Sequence, residues 1–252
     1  MAELIPLAPS TLYIVAITRL GTSVEDEARA LAASLGTVAY DQRLKLNAGV
    51  PVVVLSTPYA ANAHACVAGL LARGHGAMLC ESSEIVASDA MQQVRRFRFD
   101  EDALVATEGA GARLPWHEIT ALVRAVHRTR TEASETVTQK RFAPARAVLT
   151  GGLLMNKKTT TTVTTRSADS EAVLYLFVTP GATPWLVAER HAHYDALGAA
   201  VTPHSTRNFE LALAHIRERA RGASFDDRLV ARRGPPDEID LLAHLVARSL
   251  TG

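Results

Sequence analysis

The sequence is poor in cysteine and in aromatic residues, and each shortage excludes a class of structure or function. Two cysteines in 252 residues are too few for a disulfide framework, and Cys66 and Cys80 lack the paired spacing of a zinc site. We interpret both as buried small apolar residues in a reducing compartment. With only 5% aromatic residues, Trp116 and Trp185 are predicted to pack in the core or at its rim and not to form a platform for nucleic-acid bases.

The chain also lacks a long apolar run and a strong charge of one sign. MAELIPLAPS has no basic start followed by a long apolar stretch, and no window approaches about 18 uninterrupted apolar residues. We therefore expect a cytoplasmic protein without membrane insertion. The net charge is +1, so nucleic acid is an unlikely partner by composition. The excess of arginine over lysine is typical of a GC-rich bacterial genome.

Familiar catalytic and cofactor motifs are missing as well. Neither a GxGxxG nor a GxSxG pattern occurs, and His117-Glu118 is half of a zinc-protease motif that fails because residue 121 is Ala. The stretch GGLLMNKKTTTTVTTR resembles a phosphate loop until its spacing is read, because Asn156 precedes Lys157 where a glycine is needed. Its β-branched residues predict a strand, preceded by a bend at the double glycine. We predict no catalytic residues, no metal and no cofactor.

The first part of the chain alternates strand and helix patterns. Strands are predicted at 11–18, 51–57 and 75–82, and helices at 24–35, 38–47 and 60–73. Ser23 is predicted to cap the first helix and Gly36 to end it, while Val67, Leu70 and Leu71 are predicted to face the core. This gives a β-α-α-β-α-β domain over residues 1–90.

The order of these elements over residues 11–82, with the A…L…GH exit from the third helix, resembles the Clp protease adaptor domain and the C-terminal domain of the ribosomal stalk protein. Both families use this fold for protein–protein contact. The resemblance therefore implies a docking module, although the acidic residues with which the adaptor grips an N-terminal amine have no counterpart here.

The second part, over residues 91–225, is richer in strands. They are predicted at 94–100, 103–109, 145–151, the threonine run, 172–181 and 184–189, and residues 114–131 are expected to begin as the entry to a strand. A helix follows with Phe209, Leu213, Ile216 and Ala220 on one face. Ser205 or Thr206 is expected to cap that helix. The phrase Ala103-Leu104 followed by Leu114-Pro115-Trp116-His117-Glu118-Ile119 resembles bacterial pleckstrin-homology-like domains over residues 92–221. That resemblance implies a binding domain built on a mostly antiparallel β barrel and closed by a C-terminal helix.

Residues 226–252 are predicted to form a tail ending in a helix with Ile239, Leu242, Val246 and Leu250 on one side. Such a face needs an apolar cover, either from the same chain or from a partner. Together the segments predict an α+β protein of two domains and a tail helix.

We expect a non-enzymatic adaptor that acts through protein partners, and two alternatives remain open. One is a metal-dependent or other enzyme with a site at the domain interface, for which His191, His193 and Glu118 are candidates. The other is an anionic ligand on a basic sheet face, because strand neighbours could bring six basic residues together. These are Arg95, Arg96, Arg98, Lys157, Lys158 and Arg166.

Overall fold

A computed structural model describes residues 11–108, 111–142, 156–179 and 181–251, with the backbone alone described at 130–142, 156–168 and 233. The chain forms two compact units, of which Arg128–Ser170 is one and the remainder is the other. Helices and antiparallel sheets are both present, which confirms the α+β class. Each helix in the described ranges is too short or too polar to span a bilayer.

The first segment has the predicted β-α-α-β-α-β order. Its elements are β1 (Tyr13–Arg19), α1 (Val24–Leu35), α2 (Ala39–Asn47), β2 (Val52–Thr57), α3 (Ala60–Ala72) and β3 (Gly76–Glu81). The three strands form a sheet in the order β2-β1-β3, and β1 is antiparallel to both neighbours. The predicted ends of α1 are confirmed: Ser23 Oγ accepts the N–H of Asp26 at 3.1 Å, and Gly36 adopts a left-handed φ of 64°.

The strand β1 is apolar on both faces of this sheet. Val15 and Ile17 pack with the helices α1, α2 and α3 on one side. Ile14 and Ala16 belong to a second core on the other side, together with residues of the second half of the chain. Because successive side chains of a strand point to opposite faces, one short strand contributes to two cores.

The second half of the chain contains eight strands and two helices among the described residues. They are β4 (Gln92–Gln93), β5 (Phe97–Phe99), β6 (Ala103–Ala106), β7 (Arg113–Pro115), β8 (Ile119–Phe142), β9 (Asn156–Val178), β10 (Trp185–Ala188), α4 (Ser205–Arg219), β11 (Ser224–Gly234) and α5 (Pro236–Thr251). Short 3-10 helices lie at Ser82–Glu84, Ser88–Ala90, Trp116–Glu118 and Asp195–Ala200.

These strands form two sheets, with the orders β11-β8-β9-β10-β4 and β5-β6-β7. No closed barrel occurs in the parts of the chain that the structure describes. The threonine run is confirmed as a strand, since it lies in β9. The strand predicted at 145–151 and the double glycine lie outside the described residues.

The last strand of the chain was not predicted, since residues 226–252 were assigned to the tail. In the structure Ser224–Gly234 is β11, which runs parallel to β8 and pairs Phe225 with Leu122. The register shifts twice along this pair, between Asp226 and Leu229 and again before Arg233. These irregularities break the two-residue alternation by which a strand is recognised.

The helix α4 has the predicted buried face, but its predicted caps are wrong. Phe209, Leu213, Ile216 and Ala220 are buried in the core that α4 shares with Trp116 and Trp185. The residue before the helix is His204, whose side chain makes no capping bond. Ser205 and Thr206 instead donate their hydroxyls to Glu189 Oε1, at 3.0 and 2.6 Å.

The C-terminal helix α5 docks on its own chain, which answers the question left open by its apolar face. Ile239, Leu242 and Val246 are buried as predicted, and Ala243, Leu245 and Ala247 are buried as well. This helix packs between the β2-β1-β3 sheet and the five-stranded sheet, in a core that holds residues of both. The domain boundaries expected near residues 90 and 225 stay a prediction. The core around α5 contains residues from all three predicted segments.

Leu245 provides a test of this central position, because its side chain is fully buried. We expect Leu245→Ala to lower the free energy of unfolding by about 2–5 kcal/mol, from lost transfer energy and the cavity left behind. The matched control is Leu71→Ala, in which the exposed fraction of the leucine is 54% and the expected cost is under about 1 kcal/mol. Urea denaturation measures both, and equal costs would place α5 outside the core.

Candidate functional site

Exposed apolar side chains concentrate on the helical layer of the first segment. Helices α1, α2 and α3 cover one face of the β2-β1-β3 sheet. Seven large apolar residues are exposed in the described parts of the chain, and five of them belong to α2, α3 and the residues that begin these helices. We call this surface the helical face, and it is defined by Val38, Tyr40, Leu44, Tyr59 and Leu71.

The helix α2 turns two of its three large apolar residues outward. Tyr40 and Leu44 lie on one face, as their spacing predicts, but their exposed fractions are 57% and 53%. The buried residues of α2 are Gln42 and Leu46. Because two residues along a helix correspond to a rotation of about 200°, burying Gln42 directs Tyr40 and Leu44 to the solvent. A glutamine inside and a tyrosine outside invert the usual amphipathic order.

The helix α3 is rotated relative to the prediction, so the placement of Leu71 in the core was wrong. Ala63 and Leu70 are buried, Val67 is half-buried, and Leu71 is exposed. Residues seven apart fall on the same side of a helix, whereas Leu71 lies about 100° further round than Leu70. The core-facing stripe of α3 is therefore narrow, and Leu71 joins the helical face.

A groove lies between the C-terminal end of α1 and the side of α3. Its volume is about 460 Å³, and Leu35, Leu55, Cys66 and Arg73 are among its lining residues. Burial raises the pKa of the Cys66 thiol despite the nearby Arg73 guanidinium. Cys66 is therefore an uncharged, half-buried side chain and not an activated nucleophile, while Cys80 is buried as predicted.

A buried ion pair holds α1 and α3 together beside this groove. Glu27 on α1 has no exposed surface, and both its oxygens accept hydrogen bonds from the Arg73 guanidinium, at 2.8 and 2.7 Å. His75 Nε2 lies 2.7 Å from Glu27 Oε2. The N–H of Gly21 donates to His75 Nδ1 at 3.0 Å, so the ring proton sits on Nε2 and is donated to Glu27.

The charges in this cluster are stabilised by one another. Burial alone would raise the pKa of Glu27, but the hydrogen bonds from Arg73 and His75 outweigh it and hold that pKa below its ordinary value. The bond from Glu27 raises the pKa of Arg73 in turn. The loop at Gly21 also approaches the chain closely, since a Cβ there would lie 2.2 Å from the carbonyl oxygen of Gly74.

Sequence reasoning missed Glu27, although a signal was present. In the sequence Glu27 resembles any of several acidic residues in the first turn of α1, which is a common arrangement. It stands three residues after Val24 and four before Leu31, on the apolar face of the helix. An acidic residue in a core-facing position implies a buried partner, but the identity of Arg73 and His75 depends on contacts distant in sequence.

A second buried network fixes α5 and was also missed. Asp240 accepts the Tyr175 hydroxyl at 2.6 Å and the N–H of Ser88 at 2.7 Å, and His127 Nε2 lies 2.5 Å from the Tyr175 oxygen. Burial acts to raise the pKa of Asp240, but the hydrogen bonds from His127, Tyr175 and Ser88 hold it below its ordinary value. Burial also raises the pKa of Tyr175 far above its usual range. The network ties α5 to β8, β9 and the connector before β4.

The six basic residues proposed as an anion site are described only in part. Arg98 lies in β5 and pairs with Asp100 at 2.8 Å, and Arg96 lies 3.8 Å from Glu108. Arg95 is exposed just before β5. The backbones of Lys157, Lys158 and Arg166 lie in β9, but their side chains are outside the described residues. Their convergence with the three arginines therefore stays a prediction.

The residues proposed for an enzyme site lie on the surface. His191 Nδ1 is 2.9 Å from Glu171 Oε1, and the backbone N–H of His193 donates to the Arg95 carbonyl at 2.6 Å. Glu118 is exposed in the 3-10 helix that precedes β8. Within the described ranges, no three His, Cys, Asp or Glu side chains are grouped so that they could hold a metal ion.

Comparison of the chain with protein-family models, curated proteins and solved structures gives no match. The resemblances to an adaptor domain and to a pleckstrin-homology-like domain consequently stay predictions. Function has to be inferred from the geometry of the chain itself.

The Glu27 cluster yields a prediction for stability. Glu27→Gln removes the charge that Arg73 and His75 share, and Arg73 is about one-third exposed. We expect a loss of about 2–4 kcal/mol in the free energy of unfolding, between the cost of one charged hydrogen bond and that of a fully buried pair. Glu25→Gln in the same helical turn, where the side chain is exposed, is expected to cost under about 1 kcal/mol.

Glu27→Gln also tests how the free energy of unfolding depends on pH. Because the pKa of Glu27 is lowered by folding, its contribution is present above the usual glutamate pKa near 4.5 and is lost as the pH falls through the folded value. The difference between the wild type and Glu27→Gln should therefore be constant at neutral pH and shrink in acid. A difference that stays unchanged down to acid unfolding would refute the assignment.

Proposed function

We propose that this chain is a non-enzymatic cytoplasmic adaptor that binds a partner protein through the helical face. The observation that carries the proposal is the outward orientation of α2, in which Tyr40 and Leu44 are exposed while Gln42 is buried. Tyr40 and Leu44 lie one helical turn apart on α2, and exposed apolar side chains grouped in this way are typical of an interaction site.

The composition of the helical face suits a protein interface. Two of its five apolar residues are tyrosines, which together with arginine are enriched among the residues that dominate binding energy. Arg43 lies over the Tyr40 ring, with 5.3 Å between the guanidinium carbon and the ring centroid. That contact orders the ring in the free protein, which lowers the entropy that binding would otherwise cost.

The titratable groups favour binding over catalysis. A general acid or base works best with a pKa near the working pH. Among the described residues whose pKa departs from its ordinary value, carboxyl groups have a lowered pKa, whereas thiols and tyrosines have a raised one. Glu27, Cys66 and Tyr175 are examples. Burial lowers the pKa of His244, which also moves it away from neutrality. These groups are fixed in one ionisation state at pH 7, as suits structural roles.

The proposal is tested with the double variant Tyr40→Ser/Leu44→Ser. Its matched control is Leu12→Ser/Val201→Ser, which removes two exposed apolar residues away from the helical face. Tagged wild type and variants are used to recover proteins from a native lysate, which are quantified by mass spectrometry. We expect a defined partner to be recovered with the wild type and the control, and to fall at least about tenfold with the double variant.

Two outcomes would contradict the proposal. One is equal recovery of the same proteins by the wild type and the double variant. The other is a dimer of the wild type in light scattering that becomes a monomer in the double variant, which would assign the helical face to a second copy of the chain. Melting temperatures of the variants should stay close to that of the wild type, because the altered side chains are exposed.

A further inference from the structure

A cavity lies away from the helical face, at the C-terminal half of α5. Its volume is about 760 Å³, within the range typical of small-molecule sites. Its walls come from the connector at 83–86, from Thr120, from residues 177–179 at the end of β9 and 181–184 after it, and from the last two turns of α5. All of these belong to one compact unit.

The inner wall of the cavity is apolar and aromatic. Phe177 is only 7% exposed and presents its ring to the cavity beside Ala247 and Val86. The ring is held by two neighbours: Tyr175 stacks at 5.9 Å between centroids, and His244 packs edge-on at 4.9 Å. A fixed aromatic wall of this kind favours another flat ring, because offset or edge contacts add to the energy of burial.

His244 adds no charge to this wall at neutral pH. Its Nε2 lies 3.1 Å from both the backbone N–H and the carbonyl oxygen of Val86. Burial lowers the pKa of His244 below its usual value, so the imidazole is neutral at pH 7 and Nε2 can accept the Val86 N–H. Among the lining residues, charge at neutral pH is therefore confined to Glu84 and Arg248.

Glu84 and Arg248 form an exposed ion pair at the mouth of the cavity. Arg248 Nη1 lies 2.5 Å from Glu84 Oε2, and the side chains of Arg248 and Glu84 are 43% and 46% exposed, respectively. Exposed pairs of this kind contribute only about 0–1 kcal/mol, so Glu84 holds the guanidinium weakly. The bond uses Nη1 of Arg248, and the Glu84 carboxylate also accepts the N–H of Glu81 at 3.0 Å. The other guanidinium N–H groups of Arg248 can therefore take a second carboxylate while Glu84 stays in place.

We propose that this cavity binds a small aromatic carboxylate, with its ring against Phe177 and its carboxylate on Arg248. The two halves of such a molecule match the two halves of the site, since the neutral apolar wall lies inside and the guanidinium at the mouth. A guanidinium can bind a carboxylate through two parallel hydrogen bonds, which orients the ligand. The proposal goes beyond the adaptor function and does not depend on it.

The test is an NMR titration of the ¹⁵N-labelled full chain with 2-naphthoate and, separately, with the neutral 2-naphthalenemethanol. We expect saturable shifts of the backbone amides in residues 177–179, 181–183 and 244–251. Arg248→Gln should weaken 2-naphthoate at least about tenfold and 2-naphthalenemethanol less than about twofold, since only the acid loses a charged hydrogen bond. Arg29→Gln, an exposed arginine on α1, is the matched control and should change neither affinity.

A second variant separates this site from any other. Ala182 is exposed and lines the cavity, so Ala182→Trp places an indole in the cavity without disturbing the core and should remove binding of both probes. The proposal is overturned if neither probe gives saturable shifts, if the shifts map elsewhere, or if Ala182→Trp binds as well as the wild type. Equal weakening of both probes in Arg248→Gln would overturn the assignment of the carboxylate to that residue.

Discussion

The burial of β1 on both faces is the constraint on which the rest of the structure depends. Val15 and Ile17 need a cover on one side of the β2-β1-β3 sheet, and Ile14 and Ala16 need one on the other. The three helices of the first segment can supply only one of these covers. The second comes from α5, at the opposite end of the chain, so the N-terminal sheet and the C-terminal helix complete each other. The helices α1, α2 and α3 are then left with one side on the sheet and one side in solvent.

Polar contacts fix this arrangement where apolar packing alone would allow sliding. Asp240 holds α5 to Ser88 and Tyr175 from within the core. Arg232 on β11 donates to the carbonyl oxygens of Gly49 and Pro51, at 3.0 and 2.8 Å, and so joins the last strand to the loop after α2. Together with the Glu27 pair, these contacts tie α1 to α3 and the loop after α2 to β11.

The sequence was informative where local patterns decide the structure. The six elements of the first segment, the Ser23 and Gly36 ends of α1 and the buried faces of α4 and α5 all follow from periodicity and capping. The sequence was less informative where contacts between distant residues decide which face of a helix is buried. Periodicity placed Tyr40 with Leu44 but could not decide which face of α2 the sheet would take, and it placed Leu71 on the wrong side of α3. The strand β11 was missed because its pairing with β8 is irregular.

The predicted sites rest on local sequence patterns, whereas the sites that the structure reveals depend on contacts between residues distant in sequence. Basic residues and paired histidines are visible in a sequence, and so they were the first candidates. The pairing of Glu27 with Arg73 spans 46 positions and that of Tyr175 with Asp240 spans 65, so neither has a local pattern. The cavity beside Phe177 and Arg248 likewise exists only after α5 has docked. Exposure and cavities are properties of the assembled fold, and the functional proposals follow from them.

The central claim is that Tyr40 lies at the contact with a partner protein. The most direct measurement replaces Tyr40 by the photo-crosslinking amino acid p-benzoylphenylalanine, with the same replacement at Val201 as the control, and irradiates cells that produce each form. We predict a discrete heavier adduct from position 40 and none from position 201, since both residues are exposed but only Tyr40 belongs to the helical face. The absence of an adduct at position 40, or the same adduct from both positions, would contradict the claim.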